Sequence, residues 1–350
     1  MSVTRLLLVY GGASSEHEIS IRSARSILDA IDRDRFVPIP LAIARDGSWR
    51  TGPVDADLAT LVTEGERVTD LRTLGADLVF PALHGPFGED GTIQGLLEIY
   101  GLPYVGSGVL ASALCMDKIA QKQLVAAAAP QVPLVPWCEV TVAQLRPQAR
   151  EATAARVLQV CGTPCFVKPA NLGSSVGVVK VESPEALGDA LTEAAQYDHR
   201  IIVEGGVDAR EIELAVLGNG DEATVVSPPG EIELPPGVWY DYETKYEKDV
   251  ATYHIPASLP DDVARTLQAH ARQAFVSCGC KGLARIDFFV ERGTGRVFLN
   301  ELNTMPGFTS ISMYPKLMAH AGVPYRELIT RLCDLAIEHH SARRKLRNDR

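Results

Sequence analysis

Two short stretches carry the strongest chemistry in this 350-residue chain: Arg285-Ile286-Asp287 and Glu301-Leu302-Asn303. Residues two apart on a strand share a face, so Arg285 lies beside Asp287, and Glu301 beside Asn303. Adjacent strands would then gather three oxygen ligands and one guanidinium. Hard oxygen donors with few carboxylates suit Mg²⁺ bound to nucleotide phosphates. A pair of cross-strand salt bridges is the plainer alternative. The two-residue spacing on both strands, set among apolar neighbours, favours a site.

A second candidate is the loop Asn171-Leu172-Gly173-Ser174-Ser175-Val176-Gly177, just after Lys168. Gly173 and Gly177 let the backbone approach a phosphate, and the amides between them can form an anion-binding nest. No Gly-Lys-Ser/Thr follows, and a strand follows instead of a helix, so it is not a Walker A loop. From the loop alone, a plain hairpin turn stays open. The glycine-punctuated run His84-Gly85-Pro86-Phe87-Gly88-Glu89-Asp90-Gly91 follows a strand, where α/β sheets bind ligands. It reads equally as a turn capped by Asp90 or Thr92. In residues 11–20, local pattern makes Ser15 or Glu18 a helix cap. Gly106-Ser107-Gly108-Val109-Leu110-Ala111 imitates a dinucleotide fingerprint, but alanines 126–129 stand where its acidic residue belongs. Ser174 and Ser175 lack a nucleophile-elbow sequence, and the histidines show no metal spacing.

Regular elements must position these groups. The first third alternates strands (6–10, 36–44, 77–83) with helices (one bearing Ile21, Ala24, Ile27, Leu28 and Ile31, another at 92–100). This βαβ pattern predicts a parallel sheet. An alanine run followed by three prolines, 126–136, predicts a linker. Strands at 165–169 and 178–181 flank the Gly/Ser loop. Further strands are expected at 201–204, 212–217, 282–290 and 296–301, and helices at 262–278 and 325–339. Residues 235–254 read as a polar, aromatic loop.

Composition narrows the class. Hydrophobic residues make up 46% and charged ones 22%, which predicts a globular protein. A net charge of −10 disfavours nucleic acid as a partner. No apolar run reaches eighteen residues, so no membrane span is expected, and the N-terminal apolar run is too short for a signal segment. An odd count of seven cysteines in a long chain predicts reduced thiols and a cytoplasmic protein. The basic tail Arg343-Arg344-Lys345-Leu346-Arg347 reads as a solvated helix end.

Taken in order, the motifs resemble those of the D-alanine–D-alanine ligase family. They are Gly11-Gly12-Ala13-Ser14-Ser15-Glu16-His17-Glu18-Ile19-Ser20; the His84 loop with Gln94-Gly95; Met116-Asp117-Lys118; and Val167-Lys168-Pro169 with the Gly/Ser loop. They continue with Tyr240-Asp241-Tyr242-Glu243-Thr244-Lys245-Tyr246, Gly282-Leu283-Ala284-Arg285-Ile286-Asp287, and the run from Asn300-Glu301 to Thr309-Ser310. The resemblance spans nearly the whole chain. It implies an ATP-grasp fold, α/β and α+β: a Rossmann-like N-terminal α/β domain (1–118), a central lobe (119–210), and a C-terminal lobe (211–350). The last would carry a lid at 235–254 and the metal site.

The resemblance also implies the reaction. One D-alanine carboxylate attacks the γ-phosphate of ATP, and the amine of a second D-alanine attacks the resulting acylphosphate. Lys118, Lys168 and Lys245 would neutralise phosphates, and Glu204, Val207 and Glu211 would meet the rest of the nucleotide. Asp287, Glu301 and Asn303 would hold two Mg²⁺ ions, with Mn²⁺ as a substitute. Arg285 and the Gly307 amide would stabilise the oxyanion. Glu18 would bind the first ammonium, with Ser174 and Tyr246 hydrogen-bonded to it. His84 would lie beside that substrate, and Ser312 with Met313 would hold the second. A homodimer serving peptidoglycan synthesis is implied too. One departure stands out: some members place a lysine after Glu204, whereas Gly205-Gly206 follows here. A D-lactate-accepting ligase, a non-catalytic nucleotide regulator and another carboxylate–amine ligase are the competing readings. The dipeptide-type loop at Lys245-Tyr246 argues against the first, the intact metal and arginine set against the second, and the Glu18 and Tyr246 motifs against the third.

Overall fold

A computed structural model describes residues 3–235, 251–309 and 312–347. Three sheets organise them. The first holds β1 (Thr4–Gly11), β2 (Phe36–Ile43), β3 (Trp49–Thr51), β4 (Glu66–Val68) and β5 (Leu78–Pro81), in the order β4-β3-β2-β1-β5. β1 is continuously apolar from Leu6 to Tyr10 because both of its faces are covered. It runs parallel to β2 and β5. The expected parallel sheet holds only in this centre, because β3 and β4 add an antiparallel edge. Helices α1 (His17–Ala30), α2 (Leu58–Glu64), α3 (Thr92–Tyr100) and α4 (Val109–Met116) follow from it.

Helix α5 (Lys118–Ala128) leads to the second sheet. Segment 126–136 is not a loose linker. The alanines finish α5, and the prolines then dock: Leu299 N donates to Pro133 O (2.8 Å) and Gly205 N to Pro136 O (2.8 Å). The second sheet is antiparallel. It comprises β6 (Trp137–Thr141), β7 (Cys165–Pro169), β8 (Val179–Val181) and β9 (Arg200–Gly205), ordered β6-β9-β7-β8. Helices α6 (Pro147–Cys161) and α7 (Leu187–Ala194) cover it. The Gly/Ser loop joins β7 to β8 as a strand–loop–strand unit.

The third sheet comprises β10 (Ala209–Gly218), β11 (Val225–Val226), β12 (Gly230–Glu233), β13 (Thr252–His254), β14 (Gly282–Glu291) and β15 (Val297–Asn303). Its path is β13-β12-β10-β14-β15, with β11 on β10. The expected loop 235–254 therefore ends early: Thr252–His254 pairs with β12, while residues 236–250 lie outside the described segments. Helix α8 (Asp261–Ser277) packs on one face of this sheet. Helices α9 (Met313–His320) and α10 (Tyr325–Arg344) share a core with the first sheet and β10. Phe308 sits in that shared core, edge-on to Phe80 with centroids 5.6 Å apart. All seven cysteines are free and buried. Among the described residues, no helix is long and apolar enough to cross a membrane.

Ser20 fastens the first sheet to α1. Fully buried, its hydroxyl accepts from Gly11 N (2.7 Å) and donates to Ala82 O (2.6 Å), at the ends of β1 and β5. Ser20→Ala should orphan both backbone groups and cost about 1–3 kcal/mol of stability. Chemical denaturation measures this, and an unchanged midpoint would mean that water replaces the hydroxyl.

Candidate active site

The β14–β15 pair forms one wall of a cleft between the three sheets. Asp287 lies opposite Glu301 and Arg285 opposite Asn303, with a bulge after Asp287. The two-residue spacings therefore meet on one face, as the sequence predicts. Arg285 donates to both Asp287 oxygens (2.8 and 2.7 Å), and its Nε lies 3.2 Å from Glu213 Oε2. Burial works against the guanidinium charge, but Asp287, Glu213 and Glu301 outweigh it and hold the group fully protonated. Glu213 escaped the sequence reading. Its signal was present, since Glu211 and Glu213 alternate on β10, and Glu213 pairs in register with Asp287.

Lys118 opens α5. Its Nζ lies 3.4 Å from Glu301 and donates to Leu172 O at 2.7 Å, joining the β15 wall to the Gly/Ser loop. Lys168 lies on β7, with Nζ 2.6 Å from Glu204 Oε2. Lys122, also unforeseen, takes Glu204 Oε1 at 2.7 Å. Burial opposes ionisation of Glu204, yet the two ammonium groups pull its carboxyl down to about 2. Val207 is half-buried in the connection between β9 and β10. Glu211, Gly307, Ser312 and Met313 line the same cavity as Arg285 and Glu301. A Cβ on Gly307 would meet Ser312 Oγ at 2.8 Å and turn that hydroxyl from its present position. Lys245 and Tyr246 lie outside the described residues.

Glu18 requires correction. It is exposed, faces Arg45 at 3.6 Å and does not line the cleft. Glu16 occupies the expected place. It is buried, lines the cavity and accepts from Ser174 Oγ at 2.6 Å. The cause is helical geometry: Glu18, Arg22, Arg25 and Asp29 form the exposed stripe of α1, whereas Glu16 precedes its first turn. Two conformational features bring Glu16 and Ser174 together. Gly85 has φ +74°, and a Cβ there would come within 2.8 Å of Glu16 Oε2. Ser174 and Ser175 both have positive φ, 51° and 59°. Left-handed non-glycine residues in sequence are uncommon and mark a loop held by its surroundings.

His84 is buried beside Glu16. Its Nδ1 faces Met305 O (3.2 Å) and its Nε2 faces Ser23 Oγ (2.9 Å), which fits a neutral ring with hydrogen on Nδ1. Burial pushes its pKa down, against the pull of Glu16 and the Met305 carbonyl. Glu89, another residue the sequence reading passed over, sits 3.9 Å from His84 and accepts from Gly85 N at 2.8 Å.

Metal binding can be tested on the donor set. Among the described residues, no preformed cage of three or more His, Cys, Asp or Glu ligands exists. Asp287 and Glu301 nevertheless face each other across the ladder, with the Asn303 amide two residues beyond Glu301, and all three line the cavity. Two carboxylates and one amide oxygen suit a hard cation that completes its shell with phosphate oxygens.

Burial, then the charge of Glu16, raises the Glu89 carboxyl from 4.5 to about 8; the Gly85 amide and Arg285 oppose the rise, and Glu301 adds to it. Between those values the folded state holds a proton that the unfolded state has released, so stability falls as pH rises from about 4.5 to about 8. Glu89→Gln keeps the acceptor oxygen and removes the titration. Its stability relative to the unaltered protein should increase steadily from pH 5 to pH 8 in thermal melts. Parallel pH profiles would show that Glu89 stays ionised.

Comparison with known proteins identifies the family. The family described as D-ala D-ala ligase N-terminus matches residues 5–107, and that described as D-ala D-ala ligase C-terminus matches residues 126–334. A D-alanine–D-alanine ligase of Deinococcus radiodurans is 48% identical over 95% of this chain and 98% of its own. That of Listeria monocytogenes is 44% identical over 98% of each. The solved D-alanine–D-alanine ligase of Coxiella burnetii has a TM-score of 0.83 at 34% identity, covering 99% of this chain and 97% of that one. The VanG D-Ala:D-Ser ligase of Enterococcus faecalis has a TM-score of 0.84 at 32% identity, covering 96% and 100%. With matches across both halves and an ATP-grasp fold in common with solved relatives, the chain belongs to the D-alanine–D-alanine ligase family.

Proposed function

We propose that the protein joins two D-alanine molecules, with ATP converted to ADP and phosphate, through a D-alanyl phosphate. One observation carries the reading: a buried carboxylate, Glu16, and a fixed guanidinium, Arg285, line a single cavity. The carboxylate suits the ammonium of the first D-alanine. The guanidinium suits the oxyanion that forms when the second D-alanine attacks.

The steps follow from charge. The first D-alanine is held by Glu16, with Ser174 orienting that carboxylate and His84 filling the wall beside it. Its own carboxylate attacks the γ-phosphorus, and ADP leaves. Lys118, Lys168 and Lys245 reduce the repulsion between these anions. Glu204, Val207 and Glu211 border the nucleoside. Two Mg²⁺ ions, or Mn²⁺ in their place, would be held by Asp287, Glu301 and Asn303 and would neutralise phosphate oxygens. The second D-alanine binds near Ser312 and Met313, loses a proton and attacks the acyl carbon. Arg285 and the Gly307 amide meet the oxyanion, and phosphate departs. By the family resemblance, Tyr246 would favour an amine over a hydroxyl acceptor. The buried free thiols suit the cytoplasm, the product suits peptidoglycan precursor synthesis, and the chain works as a homodimer.

Release of ADP with Mg²⁺ and a panel of D- and L-amino acids and D-lactate tests the reading. D-Alanine should support turnover, and L-alanine should not. ADP release without D-alanine, or with all amino acids alike, would overturn it.

Within that assay, Glu16→Gln should raise KM for the first D-alanine and lower turnover by roughly 10²-fold or more, as loss of a charge-assisted contact implies. Glu18→Gln should behave as the unaltered protein. The reverse pattern would restore Glu18 to the site.

Arg285→Ala should lower kcat by about 10²–10³, the scale of losing one preorganised oxyanion donor. KM for ATP should change far less. A defect confined to KM would make Arg285 a phosphate clamp.

A further inference from the structure

Lys122 is 1% exposed, and a buried ammonium is costly unless it is paired. Its Nζ lies 2.7 Å from Glu204 Oε1 and donates to Asn300 O at 3.0 Å. Lys168 Nζ holds the other Glu204 oxygen at 2.6 Å. One carboxylate thus holds two cations, and they are not equivalent. Lys122 projects from α5 into the core between the second and third sheets. The Lys168 side chain is 13% exposed, on β7 immediately before the Gly/Ser loop.

We propose that Lys122 is a positioning residue for nucleotide binding: as the permanent counter-ion of Glu204, it releases Lys168 to meet phosphate. The inference rests on the ATP-dependent reading above. With Lys122 in place, movement of Lys168 toward phosphate leaves a neutral Glu204–Lys122 pair. Without Lys122, the same movement leaves a bare buried carboxylate, so Lys168 stays where it is. Part of the ATP affinity is then lost to a competitor inside the protein. The helix adds a second tie. Lys118, Gln121 and Lys122 share one face of α5, and they reach Glu301, Leu302 O and Asn300 O respectively. That tie alone would make Lys122 merely structural, so the test must separate the two roles.

The test is a double-mutant cycle read by equilibrium binding of ATP and by steady-state kinetics with D-alanine. Lys122→Met alone should weaken ATP binding by roughly tenfold or more and raise KM for ATP far more than it lowers kcat. Lys122→Arg, which keeps the charge, should recover most of the affinity. When Glu204→Gln is also present, Lys122→Met should change ATP affinity by less than about threefold, because no surplus anion is left to hold Lys168. Equal losses with and without Glu204→Gln would overturn the proposal and leave only the tie to Asn300. If Lys122→Met alone does not fold, Glu204→Gln is compared with the double variant, and a gap above about threefold overturns the proposal. Unaltered protein that binds no ATP would overturn the ligase reading itself. Unaltered protein and Lys122→Met binding ATP equally well would overturn this inference alone.

Discussion

Crowded carboxylates are the constraint on which the rest of the cleft depends. Glu16, Glu89, Glu213, Asp287 and Glu301 line one cavity, and Glu204 is buried close behind it. Ionised groups taken from water must be paired, hydrogen-bonded or neutralised. Each solution appears here. Asp287 and Glu213 are met by Arg285, and Glu204 by two lysines. Glu16 accepts the Ser174 hydroxyl, and burial pushes the Glu89 carboxyl up toward its neutral form. The cations come from α5, β7 and β14, so charge balance exists only when the second and third sheets are joined. A cleft built this way is electrostatically incomplete in any one part alone.

Mechanical coupling runs through a second set of contacts. Phe308 N donates to Ser23 Oγ, Ser23 Oγ meets His84 Nε2, and His84 Nδ1 meets Met305 O. The chain of bonds leaves and re-enters the segment on either side of Gly307. Tyr325 then donates to Phe308 O at 2.7 Å, while the Phe308 ring packs on Phe80. The backbone at Gly307 is therefore oriented by the core of the first sheet, far from its own strand in sequence. Its neighbours on both sides are fixed by buried partners, which is what the donor role proposed for the Gly307 amide requires.

What the sequence made legible was local. Arg285/Asp287 and Glu301/Asn303 could be paired because period two is strict and β14 and β15 are joined by only residues 292–296. The strand–loop–strand reading of 165–181 succeeded for the same reason. The antiparallel edge was missed because β3 and β4 are three residues each, too short to display a period. Glu18 was a misreading of available information, since its spacing to Arg22, Arg25 and Asp29 already placed it on the polar face of α1. Lys122 was different in kind. Nothing near it in the chain marks a buried lysine, because Glu204, its partner, lies on another sheet. Long-range ion pairs leave no local signature.

The departure at Gly205-Gly206 follows from the same packing. A Cβ at Gly205 would stand 3.0 Å from Cys161 O, and one at Gly206 would stand 2.7 Å from Pro164 O. Both backbone amides are already committed, to Pro136 O and Pro164 O, each at 2.8 Å. The chain thus leaves β9 pressed against its neighbours and crosses into β10 within three residues, which carries Glu211 and Glu213 to the cleft. A lysine at 205 would have to displace that contact. Its side chain would leave β9 on the face opposite Glu204, toward Cys161 at the end of α6. Two glycines in sequence thus let the turn between the two sheets be as tight as these contacts require.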